Sequence, residues 1–111
     1  MGKLYYGSNG HEIEIEDRML SHLKVVILAK LRRGESFAFS WTVDPEHGSG
    51  RGTVWLSPGV DLEFRFYGNR PPTLNRAWIS ALNSCAERGE LSMVPEPADP
   101  NEGVPQLQGR L

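Results

Sequence analysis

A change of hydrophobic period at Gly34 constrains the fold of this chain more than any other feature. Upstream, apolar residues recur at helical spacing between residues 20 and 31 and form one wide stripe. Downstream, large apolar residues alternate with small or polar ones from Phe37 to Val43, which is the period of a strand. Both stripes can be buried together if the helix lies across the aromatic face of a sheet, so the pair predicts an α+β fold.

Signals at both ends delimit this helix. Asp17 is the predicted N-cap, because its carboxylate can accept a hydrogen bond from an unpaired backbone N–H of the first turn. Lys30, Arg32 and Arg33 lie in the last turn, where the helix dipole favours cations. Gly34 then provides the left-handed conformation that ends a helix. The helix is therefore expected to begin after Asp17 and to end before Gly34.

The rest of the chain supplies more strands and a second helix, which Thr73 is predicted to cap and which runs to about Arg88. Strands are predicted at residues 3–6, 11–16, 37–43, 53–56, 60–67 and 91–94. The predicted order is β-β-α-β-β-β-α-β, a small two-layer α+β sandwich with a mostly antiparallel sheet and two helices. Residues 1–94 form the predicted single domain, and residues 95–111 a proline-rich disordered C-terminal tail.

Charge and cysteine usage restrict the class of protein. The net charge is −2, but residues 1–94 hold 11 basic and 11 acidic residues, so no overall field draws this domain to nucleic acid. Cys85 is the only cysteine, which excludes an internal disulfide, and we expect it to be buried. No signal peptide is recognised, and the longest apolar run, residues 25–29, is too short to span a bilayer. These features predict a cytoplasmic protein without membrane contact.

Five cations are candidates for contact with an anion or nucleic acid. The candidates are Lys30, Arg32, Arg33, Arg51 and Arg76. The glycine-rich loop at residues 47–52 could approach a phosphate, although it lacks the Gly-Lys-Ser/Thr ending of a P-loop. The alternative is that the helix cations complement the dipole and that the loop is a plain hairpin connection. Aromatic side chains that could stack on bases, if exposed, are Tyr5, Tyr6, Trp55 and Tyr67.

The sequence indicates no catalytic, cofactor or metal site. His11, His22 and His47 have no metal-ligand spacing, and a lone cysteine completes no zinc pattern. No serine lies in a nucleophile elbow. We therefore predict no catalytic residue, no bound cofactor and no metal ligand.

Several sequence blocks resemble a known family. The blocks are residues 1–8, 23–26, 30–33, 35–37, 70–72 and 74–78. They are similar to short actinobacterial proteins of uncharacterised function that often carry the label "ATP-dependent DNA ligase", over about residues 1–95. Such ligases have a nucleophilic lysine in a Lys-x-Asp-Gly motif, but neither Lys3, Lys24 nor Lys30 begins that motif. No catalytic residue is therefore carried over to this chain.

Three functional hypotheses follow. The first is a non-catalytic binding module for a protein or nucleic-acid partner, using the basic end of the first helix and the glycine-rich loop. The second is a role linked to DNA ligation, which only the resemblance implies. The third is a structural homodimer that pairs exposed sheet edges.

Overall fold

The computed structural model describes residues 1–43, 46, 48 and 50–99. The elements are β1 (Gly2–Tyr6), β2 (His11–Ile15), α1 (Asp17–Arg32), β3 (Phe37–Val43), β4 (Gly50–Leu56), β5 (Leu62–Arg65), α2 (Arg76–Glu87) and β6 (Glu90–Leu91). This order confirms the predicted β-β-α-β-β-β-α-β succession and the α+β class.

The strands divide between two sheets instead of forming one. One sheet has the antiparallel order β2-β1-β5, and the other has the order β4-β3-β6, in which the short β6 runs parallel to β3. The division arises because the chain turns away after β4: Val60 N–H donates to the carbonyl of Ser57, and β5 then pairs with β1. Consecutive strands β4 and β5 therefore belong to different sheets.

The core confirms the packing of a helix against an aromatic strand. Leu20, Leu23 and Ile27 of α1 are fully buried, and so are Phe37 and Phe39 of β3. Together they form one hydrophobic cluster, to which the first hairpin and α2 also contribute. Burial of each such side chain stabilises the fold by roughly 1.5–3 kcal/mol.

Both helix caps differ from the prediction. At α1 the side chain of Glu16 accepts from Met19 N–H, so Glu16 is the N-cap and Asp17 is the first helical residue. The carboxylate of Asp17 instead accepts from the backbone N–H groups of Tyr67 and Gly68, each 3.2 Å from Oδ2. Capping rules consider only neighbouring residues, so they do not predict these hydrogen bonds, whose donors lie about 50 residues away in the sequence.

At α2 the N-cap is Asn75 and not the predicted Thr73. The Asn75 Oδ1 atom accepts from the backbone N–H groups of Ala77 and Trp78, at 3.0 and 3.3 Å. Cys85, further along α2, is buried as expected, with 8% of its surface exposed. Within the part of the chain that the structure describes, no helix has the length and apolarity needed to cross a bilayer.

The C-terminal segment, residues 92–97, lies against both helices. Trp78 Nε1 donates to the carbonyl of Val94 at 2.8 Å, and Asn75 Nδ2 donates to the carbonyl of Pro97 at 3.0 Å. Glu96 forms two hydrogen bonds with the guanidinium of Arg18, at 2.7 and 2.9 Å. The predicted boundary after residue 94 falls within this segment, while residues 100–111 of the predicted tail lie outside the described residues.

Candidate protein-binding groove

Two of the five candidate cations share one carboxylate. Lys30 is only 4% exposed, and its Nζ lies 2.8 Å from Glu35 Oε1. The Nε of Arg33 lies 2.9 Å from the other oxygen of Glu35. The hydrogen bonds from Arg33 and then from Lys30 lower the pKa of Glu35 to about 2. Glu35 therefore compensates one of these two positive charges, and the cluster keeps a net charge of about +1.

The other candidate cations are exposed but occupy separate places. Arg32 ends α1, Arg76 begins α2, and Arg51 lies on β4 opposite Thr42 of β3. Lys30 contacts the ring of Phe37 at the start of β3. Thr42 lies five residues further along that strand, about 17 Å away. The structure thus brings Lys30 and Arg33 together and leaves Arg51 at the opposite end of the sheet.

The glycine-rich loop and the aromatic residues complete the predicted nucleic-acid surface. His47 lies outside the described residues, so only part of the loop can be placed. Trp55 and Tyr67 are 57% and 72% exposed. Tyr5 and Tyr6 are half-buried, and the Tyr6 hydroxyl donates to the carbonyl of Trp55 at 2.8 Å. Two aromatic side chains are therefore open to solvent, and nucleic-acid contact through these residues stays a prediction.

A groove that the sequence analysis did not identify lies on the solvent side of α1, with a cavity volume of about 380 Å³. We call it the α1 groove. One wall comes from α1 and the other from the connection between β5 and α2. The lining residues are Asp17, Ser21, Lys24, Val25, Phe66, Gly68, Asn69, Arg70, Pro71, Pro72 and Leu74.

Hydrogen bonds fix this connection to α1 at both of its ends. At the near end, Asp17 accepts from the backbone of Tyr67 and Gly68. At the far end, Arg18 Nη1 donates to the carbonyl of Thr73 at 3.2 Å. The two prolines between these points restrict the backbone of the groove wall. The groove is therefore a largely preformed feature of the fold.

Buried His22 fixes the connection just beyond Thr73. The backbone N–H of Asn75 donates to His22 Nε2 at 2.8 Å, so that nitrogen carries no proton. Nδ1 therefore carries the ring proton and donates it to the carbonyl of Arg18 at 2.8 Å. The imidazole also packs on the ring of Trp78, with centroids 4.4 Å apart. The neutral ring thus joins the first turn of α2 to α1.

The groove surface combines apolar side chains with positive charge. Val25 and Leu74 are 38% and 41% exposed, and Leu28, one turn further along α1, is 39% exposed. Lys24 and Arg70 also line the groove, and neither forms an ion pair with a carboxylate of the described residues. The groove therefore complements a ligand with apolar and acidic groups.

A signal for this surface was present in the sequence. Val25 and Leu28 lie off the stripe formed by Leu20, Leu23 and Ile27, Val25 on the opposite side of the helix and Leu28 on its flank. The wide apolar stripe predicted between residues 20 and 31 included Leu28, whereas the structure leaves it at the surface. Apolar residues on two sides of a helix can indicate either deep burial or an exposed contact surface.

A family model described as "Domain of unknown function (DUF7882)" matches residues 1–96. No curated protein and no solved structure matches the chain. The family match confirms the resemblance as far as a domain of unknown function. Among the described residues, no group of three or more His, Cys, Asp or Glu residues could hold a metal ion.

Proposed function

The chain belongs to the DUF7882 family of unknown function, and we propose that it is a non-catalytic module that binds a protein partner through the α1 groove. The bound element is a short peptide segment with apolar side chains flanked by Asp or Glu. We also propose a cytoplasmic location, which is supported by the single buried cysteine.

The observation that carries this proposal is the position of two cations beside exposed apolar side chains, neither of them in an ion pair with a carboxylate of the described residues. Val25 and Leu74 offer apolar contact area, while Lys24 and Arg70 flank it with positive charge. Asp17, the acidic residue of the groove, already accepts two backbone hydrogen bonds. An acidic peptide therefore meets complementary charge, whereas a basic one meets repulsion.

The size of the groove indicates a modest affinity. An apolar side chain that becomes fully buried contributes roughly 1.5–3 kcal/mol, and an exposed ion pair roughly 0.2–1 kcal/mol. Two apolar anchors and two ion pairs must also offset the lost freedom of the peptide. The contacts sum to about 3–8 kcal/mol before this cost is subtracted, so we expect a dissociation constant near or above about 1 mM and none tighter than about 1 μM.

The test is selection of a displayed library of random 12-residue peptides against the wild-type protein. We expect the selected peptides to combine Leu, Ile or Phe with Asp or Glu. Their binding to a K24E/R70E double variant should fall more than tenfold, because both favourable charges are reversed. The control is R88E, which reverses an exposed cation outside the groove and should leave binding unchanged.

Two results would contradict the proposal. One is a set of selected peptides that binds the double variant as well as the wild type. The other is a selection that yields no peptide sensitive to V25E, which places a charge on the apolar wall. Circular dichroism of each variant should remain that of the wild type, so that a lost fold is not mistaken for lost contact.

A further inference from the structure

Strand β4 presents an open edge in the described structure. Its sheet has the order β4-β3-β6, so β4 pairs on one side only. Ala38 of β3 directs its N–H to the carbonyl of Gly89, away from β4. Because Ala38 is opposite Trp55, these two residues form a pair without mutual backbone hydrogen bonds. Arg51, Thr53 and Trp55 consequently direct their backbone polar groups outward, away from β3.

The other sheet edges are shorter or charged. Strand β2 has five residues and exposes Glu12 and Glu14, while β5 has four residues and β6 has two. Strand β4 has seven residues, of which only Arg51 is charged. Proteins commonly protect sheet edges by short length or by charge. By this criterion β4 is the least protected of the four edges.

We propose that β4 pairs with β4 of a second copy of this chain, antiparallel and about a two-fold axis at Thr53. In this register Thr53 lies opposite Thr53 of the second copy, and Arg51 lies opposite Trp55 of the second copy. All three residues direct their backbone groups outward, so each pair forms two ladder hydrogen bonds. The two three-stranded sheets thereby join into one sheet of six strands.

The side chains of β4 are self-complementary in this register. Arg51, Thr53 and Trp55 alternate along the strand and share its exposed face, and Trp55 is 57% exposed. Each guanidinium lies beside an indole of the other copy, and the two-fold axis repeats this cation–π pair. The facing threonines add a favourable cross-strand pair at the axis. The pairing therefore covers two exposed indoles and brings no like charges opposite each other.

The Tyr6 hydroxyl is compatible with this pairing. It donates to the carbonyl of Trp55, which is one of the outward groups. A carbonyl oxygen has two lone pairs and can also accept the N–H of Arg51 from the second copy. The interface is separate from the α1 groove in its residues, so its test is independent of the proposed function.

The first measurement is the molar mass by light scattering across a concentration series. The chain mass is 12.4 kDa, and we expect the measured mass to rise toward twice this value. In a T53E variant, two glutamates would face each other at the axis, so we expect dimerisation to weaken more than tenfold. The control T73E places the same charge on an exposed threonine outside both sheets.

Disulfide trapping under a mild oxidant tests the register. A T53C variant places two cysteines opposite each other. Their Cα atoms would be about 5.5 Å apart, which is within the range of a disulfide. An R51C variant separates them by four residues, about 13 Å. We expect a covalent dimer with T53C and none with R51C or with wild type, whose Cys85 is buried.

A wild-type protein that remains monomeric at millimolar concentration would overturn the proposal. Equal trapping of T53C and R51C would overturn the register, and so would absence of trapping with T53C. Equal effects of T53E and T73E would show that the edge of β4 is not the contact.

Discussion

Replacement of Asn75 by alanine tests how strongly one buried amide joins α1, α2 and the C-terminal segment. Asn75 is fully buried, and its Oδ1 atom caps α2 through two backbone N–H groups. Its Nδ2 atom donates to Glu96 at 2.9 Å and to the carbonyl of Pro97 at 3.0 Å. The hydrogen bond from its backbone N–H to His22 does not need the side chain. The substitution therefore removes the cap and the attachment of the C-terminal segment together.

The expected loss of stability is the sum of the lost cap and the lost hydrogen bonds to the C-terminal segment. Loss of an N-cap typically costs about 1 kcal/mol. Each of the two lost Nδ2 hydrogen bonds contributes roughly 0.5–1.5 kcal/mol. We expect N75A to lower the free energy of unfolding by about 3 kcal/mol, which corresponds to a fall of roughly 12–24 °C in Tm for a domain of this size. N75S keeps an oxygen acceptor for the cap, so it should cost about 1 kcal/mol less.

Urea denaturation followed by tryptophan fluorescence gives these free energies. The control is T73A, which removes the sequence-predicted cap and should change the free energy of unfolding by less than about 0.5 kcal/mol. A loss below about 1 kcal/mol for N75A would refute the reasoning, because the lost cap alone should reach that value. Equal losses for N75A and N75S would show that the cap contributes nothing measurable.

Two further predictions concern packing and pH. An added Cβ at Gly52 would lie 2.7 Å from Cη2 of Trp41, so G52A should lower the free energy of unfolding by about 1–3 kcal/mol in urea titrations. The control G59A, whose added Cβ would have no atom within 4 Å, should leave the free energy of unfolding unchanged. Equal losses for G52A and G59A would exclude the Trp41 contact as the cause. Hydrogen bonds from Arg18 and then from Asn75 lower the pKa of Glu96 from 4.5 to about 2. The resulting stabilisation is present above pH 4.5 and is lost as the pH falls toward 2, so E96Q should flatten this part of the urea-derived stability profile. Parallel profiles for E96Q and wild type would contradict this assignment.

Local periodicity was sufficient to predict the element types and their order. The helical stripe before Gly34 and the alternation after it each report burial directly, because side-chain direction follows backbone geometry. The caps were less predictable, since Asp17 and Asn75 form hydrogen bonds to segments that only the tertiary fold brings near.

The candidate site was predicted less well, and the reasons are physical. The helix dipole accounts for a cation near the end of α1, but it does not reveal that Lys30 is buried and bonded to Glu35. The α1 groove exists because the connection after β5 crosses the helix, and local sequence patterns do not encode that crossing. The division into two sheets has the same origin, since β5 pairs with β1 and not with β4.

Arg18 connects the wall of the α1 groove with the C-terminal segment. Its guanidinium donates both to Thr73, beside the groove wall, and to Glu96 in the C-terminal segment. A ligand that displaces Thr73 would change the stability of the Arg18–Glu96 pair. Thermodynamic linkage then requires the reverse effect to have the same size, so release of the C-terminal segment would alter ligand affinity by an equal factor. One side chain would thereby make the groove and the C-terminal segment a reciprocally coupled pair.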